Sequence, residues 1–128
     1  MSEEFELYCK IFVKYMDKTS AKEAISSEFQ GAFEGSGMYL NHLIVEVHGN
    51  PDSTESGSLG DDFLFWPVII ELDGEGESSE TEMVAETSRV LEFLWRSGHP
   101  AVAACDFEGQ LPWGGGINRD FSSIEGNS

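Results

Sequence analysis

The sequence is short of positive charge: seven Lys and Arg stand against 24 Asp and Glu in 128 residues, a formal charge of −17. Phosphate backbones and anionic membranes are held by concentrated basic surface, so this shortage argues against nucleic acid and membrane as partners and favours a basic protein. Cysteine is scarce too. Cys9 and Cys105 lie far apart with no paired spacing, which excludes a disulfide framework and points to reduced thiols in a cytoplasmic protein. No apolar run approaches the roughly 18 residues of a membrane span, and "MSEEFELYCK" lacks a basic-then-apolar leader pattern.

What is present is globular. A hydrophobic content of 40% and an aromatic content of 12% separate the chain from acidic disordered tails, and its length suits one domain. The acidity is regional. From Glu23 to Ser88 there are fifteen Asp and Glu and no Lys or Arg, whereas Lys10, Lys14, Lys18 and Lys22 cluster early. Solubility alone is the competing explanation of such charge.

Residues 5–15 alternate with period two, which predicts a half-buried strand with Phe5, Leu7, Cys9, Ile11, Val13 and Tyr15 on one side. "SAKE" reads as a capping box from Ser20 to Glu23, opening a helix whose inner face is Ala21, Ile25, Phe29, Ala32 and Phe33, stopped by "EGSG" at 34–37. Residues 38–48 read as one second strand, with Leu43, Val45 and Val47 inward and His42, Ile44, Glu46 and His48 outward. A loop at 49–62 precedes a third strand at 63–72, with Leu64, Trp66, Val68, Ile70 and Leu72 on one side. Pro67 is the misfit, because proline cannot donate to a ladder; a bulge there, or pairing that begins just after it, is expected. Ser79 and Glu82 form a second capping box, followed by an inner stripe of Met83, Thr87, Val90, Leu91 and Leu94. A fourth strand covers 101–107.

The order βαββαβ implies an α+β, ferredoxin-like sandwich at 1–110, with a four-stranded antiparallel sheet in the order 4-1-3-2 and both helices on one face. Residues 111–128 are expected as a C-terminal segment, packed through Trp113 and frayed at its end. The face without helices should then gather Tyr8, Phe12, Phe63, Phe65 and Ile69. A patch of that size asks for a cover, either the tail with Leu111 and Trp113 or a second copy of the chain in a homodimer.

No catalytic or metal template fits. His42 and His48 sit about 20 Å apart on a strand and cannot share an ion, while Glu46 and His48 alone make a weak two-ligand site. Cys9 and Cys105 are expected as a buried, inert pair, and "PWGGG" at 112–116 lacks the Gly-Lys-Ser/Thr of a phosphate loop. No cofactor motif is present.

In size, charge and missing chemistry the whole chain resembles the immunity proteins of bacterial toxin systems and inhibitors that imitate nucleic acid; "FLFWPVIIEL" and "AVAACDFEGQLP" are similar to stretches of small bacterial proteins. The resemblance implies a non-catalytic module that neutralises a basic toxin or nuclease-like domain, and it carries no functional residue across. Partner-binding carboxylates are expected in one acidic loop, Asp73, Glu75 and Glu77 with Glu80 and Glu82, or in the loop of Asp61 and Asp62 at the other end of the sheet. The alternative is a small-ligand regulatory domain or an enzyme using the open face around Tyr8, Phe12, Phe65 and His42.

Overall fold

The computed structural model describes residues 7–53, 63–74 and 79–119. Strands β1 (Tyr8–Val13), β2 (Gly37–Leu40), β3 (Leu43–Gly49), β4 (Val68–Gly74) and β5 (Ala101–Ala104) alternate with helices α1 (Lys18–Phe29) and α2 (Glu80–Arg96). They form one open antiparallel sheet in the order β2-β3-β4-β1-β5. The α+β class stands, but the sheet has five strands where four in the order 4-1-3-2 were expected.

The extra strand arises at Asn41 and His42. Leu40 pairs with Leu43 and Met38 with Val45, so the expected single strand is a hairpin closed by a two-residue turn. Asn41 adopts φ 58°, which Asn tolerates better than most residues, and its side chain donates to Glu86 on α2. The buried residues change parity across the turn, from Met38 and Leu40 to Leu43, Val45 and Val47.

Helix α1 starts one turn earlier than "SAKE" suggested. Asp17 is the N-cap: its carboxylate accepts from the Ser20 amide at 2.8 Å, and the Ser20 hydroxyl accepts from the Asp17 amide at 3.1 Å. The Ser20 amide, and then the Ser20 hydroxyl donating to the same carboxylate at 3.0 Å, hold the Asp17 carboxyl below the usual carboxylate range. The helix ends at Gln30, in the left-handed region, so Ala32 and Phe33 lie beyond it; Phe33 still packs against the core and Ala32 is exposed. In α2 the Ser79–Glu82 capping box forms as expected, and Met83, Thr87, Val90, Leu91 and Leu94 are buried along one face.

Those α2 residues, apart from Thr87, form one core with Ala21 and Ile25 of α1 and with Cys9, Ile11, Val13, Val45, Val47, Val68, Ile70, Leu72, Ala101 and Ala103 of the sheet. Both helices therefore cover one side. Burying this surface is the main stabilising term.

Pairing on β4 begins at Val68, directly after Pro67. Phe63–Phe65 is not strand but a single 3₁₀ turn, so the expected placement of Leu64 and Trp66 beside Val68 and Ile70 is corrected. Trp66 instead packs on the opposite face of the sheet with Phe12, Ile69 and Val102, and Phe63 packs against that group. The apolar row of the open face is thus covered by Phe63 and Trp66 of the same chain. Leu111 is buried on the helix side, and Trp113, expected as the tail's anchor, is 55% exposed. The tail is seated by Leu111 and by Gly116, whose φ of 106° and close approach to the Ala101 carbonyl leave no room for a Cβ. Arg119 stacks between Trp95 and Trp113 at 5.0 and 5.8 Å from the ring centroids.

One side chain clasps the covering segment. Asn50 is buried; its Nδ2 donates to the carbonyls of Leu64 at 2.9 Å and Trp66 at 2.7 Å, while its Oδ1 accepts from the Asp52 amide at 2.9 Å. Asn50→Ala is expected to cost about 1–3 kcal/mol in urea unfolding, by orphaning those groups. Asn50→Asp should cost more, because a carboxylate would face two carbonyl oxygens. Equal stability of Asn50→Asp and wild type would contradict the clasp.

Candidate functional site on the open sheet face

Partners in antiparallel register share a face, so the side without helices can be read in rows across the strands. The first row is Val102, Phe12, Ile69 and His48. The second is Ala104, Lys10, Glu71 and Glu46, and the third is Tyr8, Asp73, Ile44 and Tyr39. The face therefore grades from apolar beneath Trp66 to charged at its far end.

Of the five residues expected on this face, Phe12, Ile69 and Phe63 meet in the apolar row, with the Phe63 ring edge-on to Phe12 at 5.4 Å between centroids. Phe65 lies beside them in the wall of a cavity of about 520 Å³, which Phe12 and Ile69 floor and which Lys10, His48 and Glu71 edge. Tyr8 stands apart, two rows away. Its hydroxyl donates to Glu71 Oε2 at 2.8 Å, and burial, then that bond, push its pKa well above the ordinary phenol value. Trp66 belongs to the group although period-two reading put it on the other side.

His42 does not belong to it. It sits in the β2–β3 turn and meets Glu82 of α2 at 2.9 Å, so the open-face role considered for it is corrected. The supposed shared face of His42, Glu46 and His48 reduces to the last two. They gain Glu71 from the neighbouring strand: His48 Nε2 lies 3.1 Å from Glu46 Oε1 and 3.5 Å from Glu71 Oε1. Sequence spacing missed Glu71 because its approach depends on the β3–β4 register, Glu46 opposite Glu71.

Among the expected partner-binding carboxylates, Asp73 is exposed at the end of β4, Glu80 accepts from Gln110 at 2.7 Å, and Glu82 closes the α2 capping box. The β2–β3 turn, the end of β4 and the start of α2 meet at one end of the sheet, since Leu43 pairs with Gly74 and His42 reaches Glu82. Glu75, Glu77, Asp61 and Asp62 lie outside the described residues. Residues 50–53 and 63–67 leave the sheet at the other end, where Gly49 pairs with Val68.

Cys9 and Cys105 adjoin across β1 and β5, one step beyond the Lys10–Ala104 pair, and both are free thiols. A hydrogen bond between them, with burial, holds Cys9 above the ordinary thiol value, and the same bond draws Cys105 below it. Among the described residues, no helix is long and apolar enough to cross a membrane. Comparisons with protein-family models, with curated proteins and with solved structures find no match.

The Glu82 carboxyl is held below its usual range first by His42, against a smaller opposing effect of desolvation, with help from the Ser79 amide. A depressed carboxylate contributes stability above its unfolded value and loses it as pH falls through the folded one. His42→Ala should move Glu82 up towards the ordinary value by NMR titration, and the stability difference from wild type should vanish below the folded value. An unmoved Glu82 would show that His42 does not hold it.

Proposed function

We propose that the protein is a non-catalytic binding module that recognises a basic protein, in the manner of an immunity or inhibitor protein neutralising a toxin or nuclease-like domain. One observation carries this reading: the regional acidity of the sequence becomes a side of the molecule. Strands β2, β3 and β4 are contiguous in the sheet and contain no Lys or Arg, while all seven cations fall on or beside β1, α1, the second half of α2 and the tail. A basic partner approaching the β2-β3-β4 side meets one sign of charge, which steers encounter and sets orientation.

Within that side, the end that holds Asp73, Glu80 and Glu82, with Glu75 and Glu77 beside them in sequence, is the favoured contact. Strand end and capped helix start are both rigid there, and preorganisation lowers the ordering cost of binding. We read the fold, more finely, as a ferredoxin-like sandwich extended at its edge by β2, a reading supported by the sheet order β2-β3-β4-β1-β5. A second reading, a small-ligand domain, is favoured by the cavity of about 520 Å³, whose apolar floor and few polar edges suit an organic ligand.

The partner to test is a basic protein that co-purifies with this chain. Added salt should slow association more than it speeds dissociation, and Asp73→Asn with Glu75→Gln and Glu77→Gln should reproduce the slowing, by about 10-fold, without lowering the melting temperature. Binding indifferent both to salt and to these changes would overturn the reading, and a thermal shift with small molecules alone would favour the second.

A further inference from the structure

We propose that Glu46, His48 and Glu71 form a binding site for a divalent transition-metal ion of the zinc type, on the open face and independent of the acidic end assigned to a protein partner. Carboxylates crowded on an acidic surface hold cations loosely. This set differs in containing an imidazole, the nitrogen donor that zinc and its neighbours favour and that magnesium and calcium do not.

The three donors converge on one spot. One ligand atom from each residue lies within 4.8 Å of the other two, and His48 Nε2 stands 3.1 Å from Glu46 Oε1 and 3.5 Å from Glu71 Oε1. Tetrahedral zinc with bonds of about 2.0–2.1 Å separates its ligand atoms by about 3.3 Å. The two distances straddle that value. A single ring proton on Nε2 can bond well to only one of the two carboxylates, whereas a cation between the three satisfies all of them.

The scaffold fixes the donors. Glu46 and His48 lie two apart on β3 and so share a face, and Glu71 is opposite Glu46 on the central strand. Glu71 is also held from behind: the Tyr8 hydroxyl donates to its Oε2 and leaves Oε1 turned to His48, the outer hydrogen bond that orients a ligating carboxylate. His48 and Glu71 both edge the cavity of about 520 Å³, so three protein ligands would leave a fourth position facing it. Three ligands with an open position are the pattern of a reactive zinc rather than of a closed structural one.

The test uses the full chain, stripped with chelator and then titrated calorimetrically with Zn²⁺ in excess Mg²⁺, which occupies loose carboxylate sites. One equivalent should bind, and Co²⁺ in its place should give visible bands of low coordination number. His48→Ala and Glu71→Gln should abolish both signals while His42→Ala keeps them, and Tyr8→Phe should weaken binding about 10-fold. Circular dichroism establishes that each variant is folded, and His48→Gln replaces His48→Ala should the latter not fold. Zinc uptake no stronger than that of Mg²⁺, or one-equivalent binding that survives loss of His48, would overturn the site. No partner protein enters the experiment, so its outcome stands apart from that of the salt-dependence test.

Discussion

Strand β4 exchanges hydrogen bonds on both edges, with β1 and with β3, along its whole length. Pro67 has no amide hydrogen to donate and joins only through its carbonyl, which accepts from the Asn50 amide at 2.8 Å, so the ladder starts at Val68 and the residues before it leave the sheet. Their own composition decides where they go. Phe63 and Trp66 are too apolar to stay in water, and they turn over an apolar surface that the helices do not cover. Asn50 then pins the turn by binding its carbonyls.

The rest of the open face follows from that folding-back. The cover takes up the apolar row and stops short of the second, leaving a cavity bounded by Lys10, His48 and Glu71. The apolar exposure of the open face is reduced, since Phe12 and Ile69 are buried. Carboxylates remain where hydration is easy, at the sheet ends and in the outer rows. The charged side and the donor cluster are therefore products of one sheet: β4 supplies Asp73 at its end and Glu71 in its middle.

Much of this was legible. Alternation in "FELYCKIFVKY" matched the burial of Cys9, Ile11 and Val13, and the Ser79–Glu82 box with its stripe matched α2, because both signals are local. The misreadings share a physical cause: a continuous apolar pattern hides a break in the backbone. "MYLNHLIV" remains hydrophobic on both sides of a turn, and only the parity change across Asn41 and His42 betrays it. "FLFWPVII" continues through Pro67, although Trp66 and Val68 face opposite sides of the sheet. Period two cannot register a chain that leaves the sheet and returns to its other face. Glu71 beside His48 was beyond sequence spacing altogether, since a one-residue slip between β3 and β4 would send it to the helix side.

The folding-back of 63–66 is the claim on which the open face rests, and proton–proton contacts of the Trp66 indole in solution test it most directly. Nuclear Overhauser contacts are expected from Trp66 and Phe63 to Phe12, Ile69 and Val102, together with cross-strand contacts placing Glu46 opposite Glu71. Contacts from the Trp66 indole to Ile70, Val13 or the inner residues of α2 would mean that the strand runs unbroken through Pro67, and would contradict the cover, the cavity and the donor cluster together.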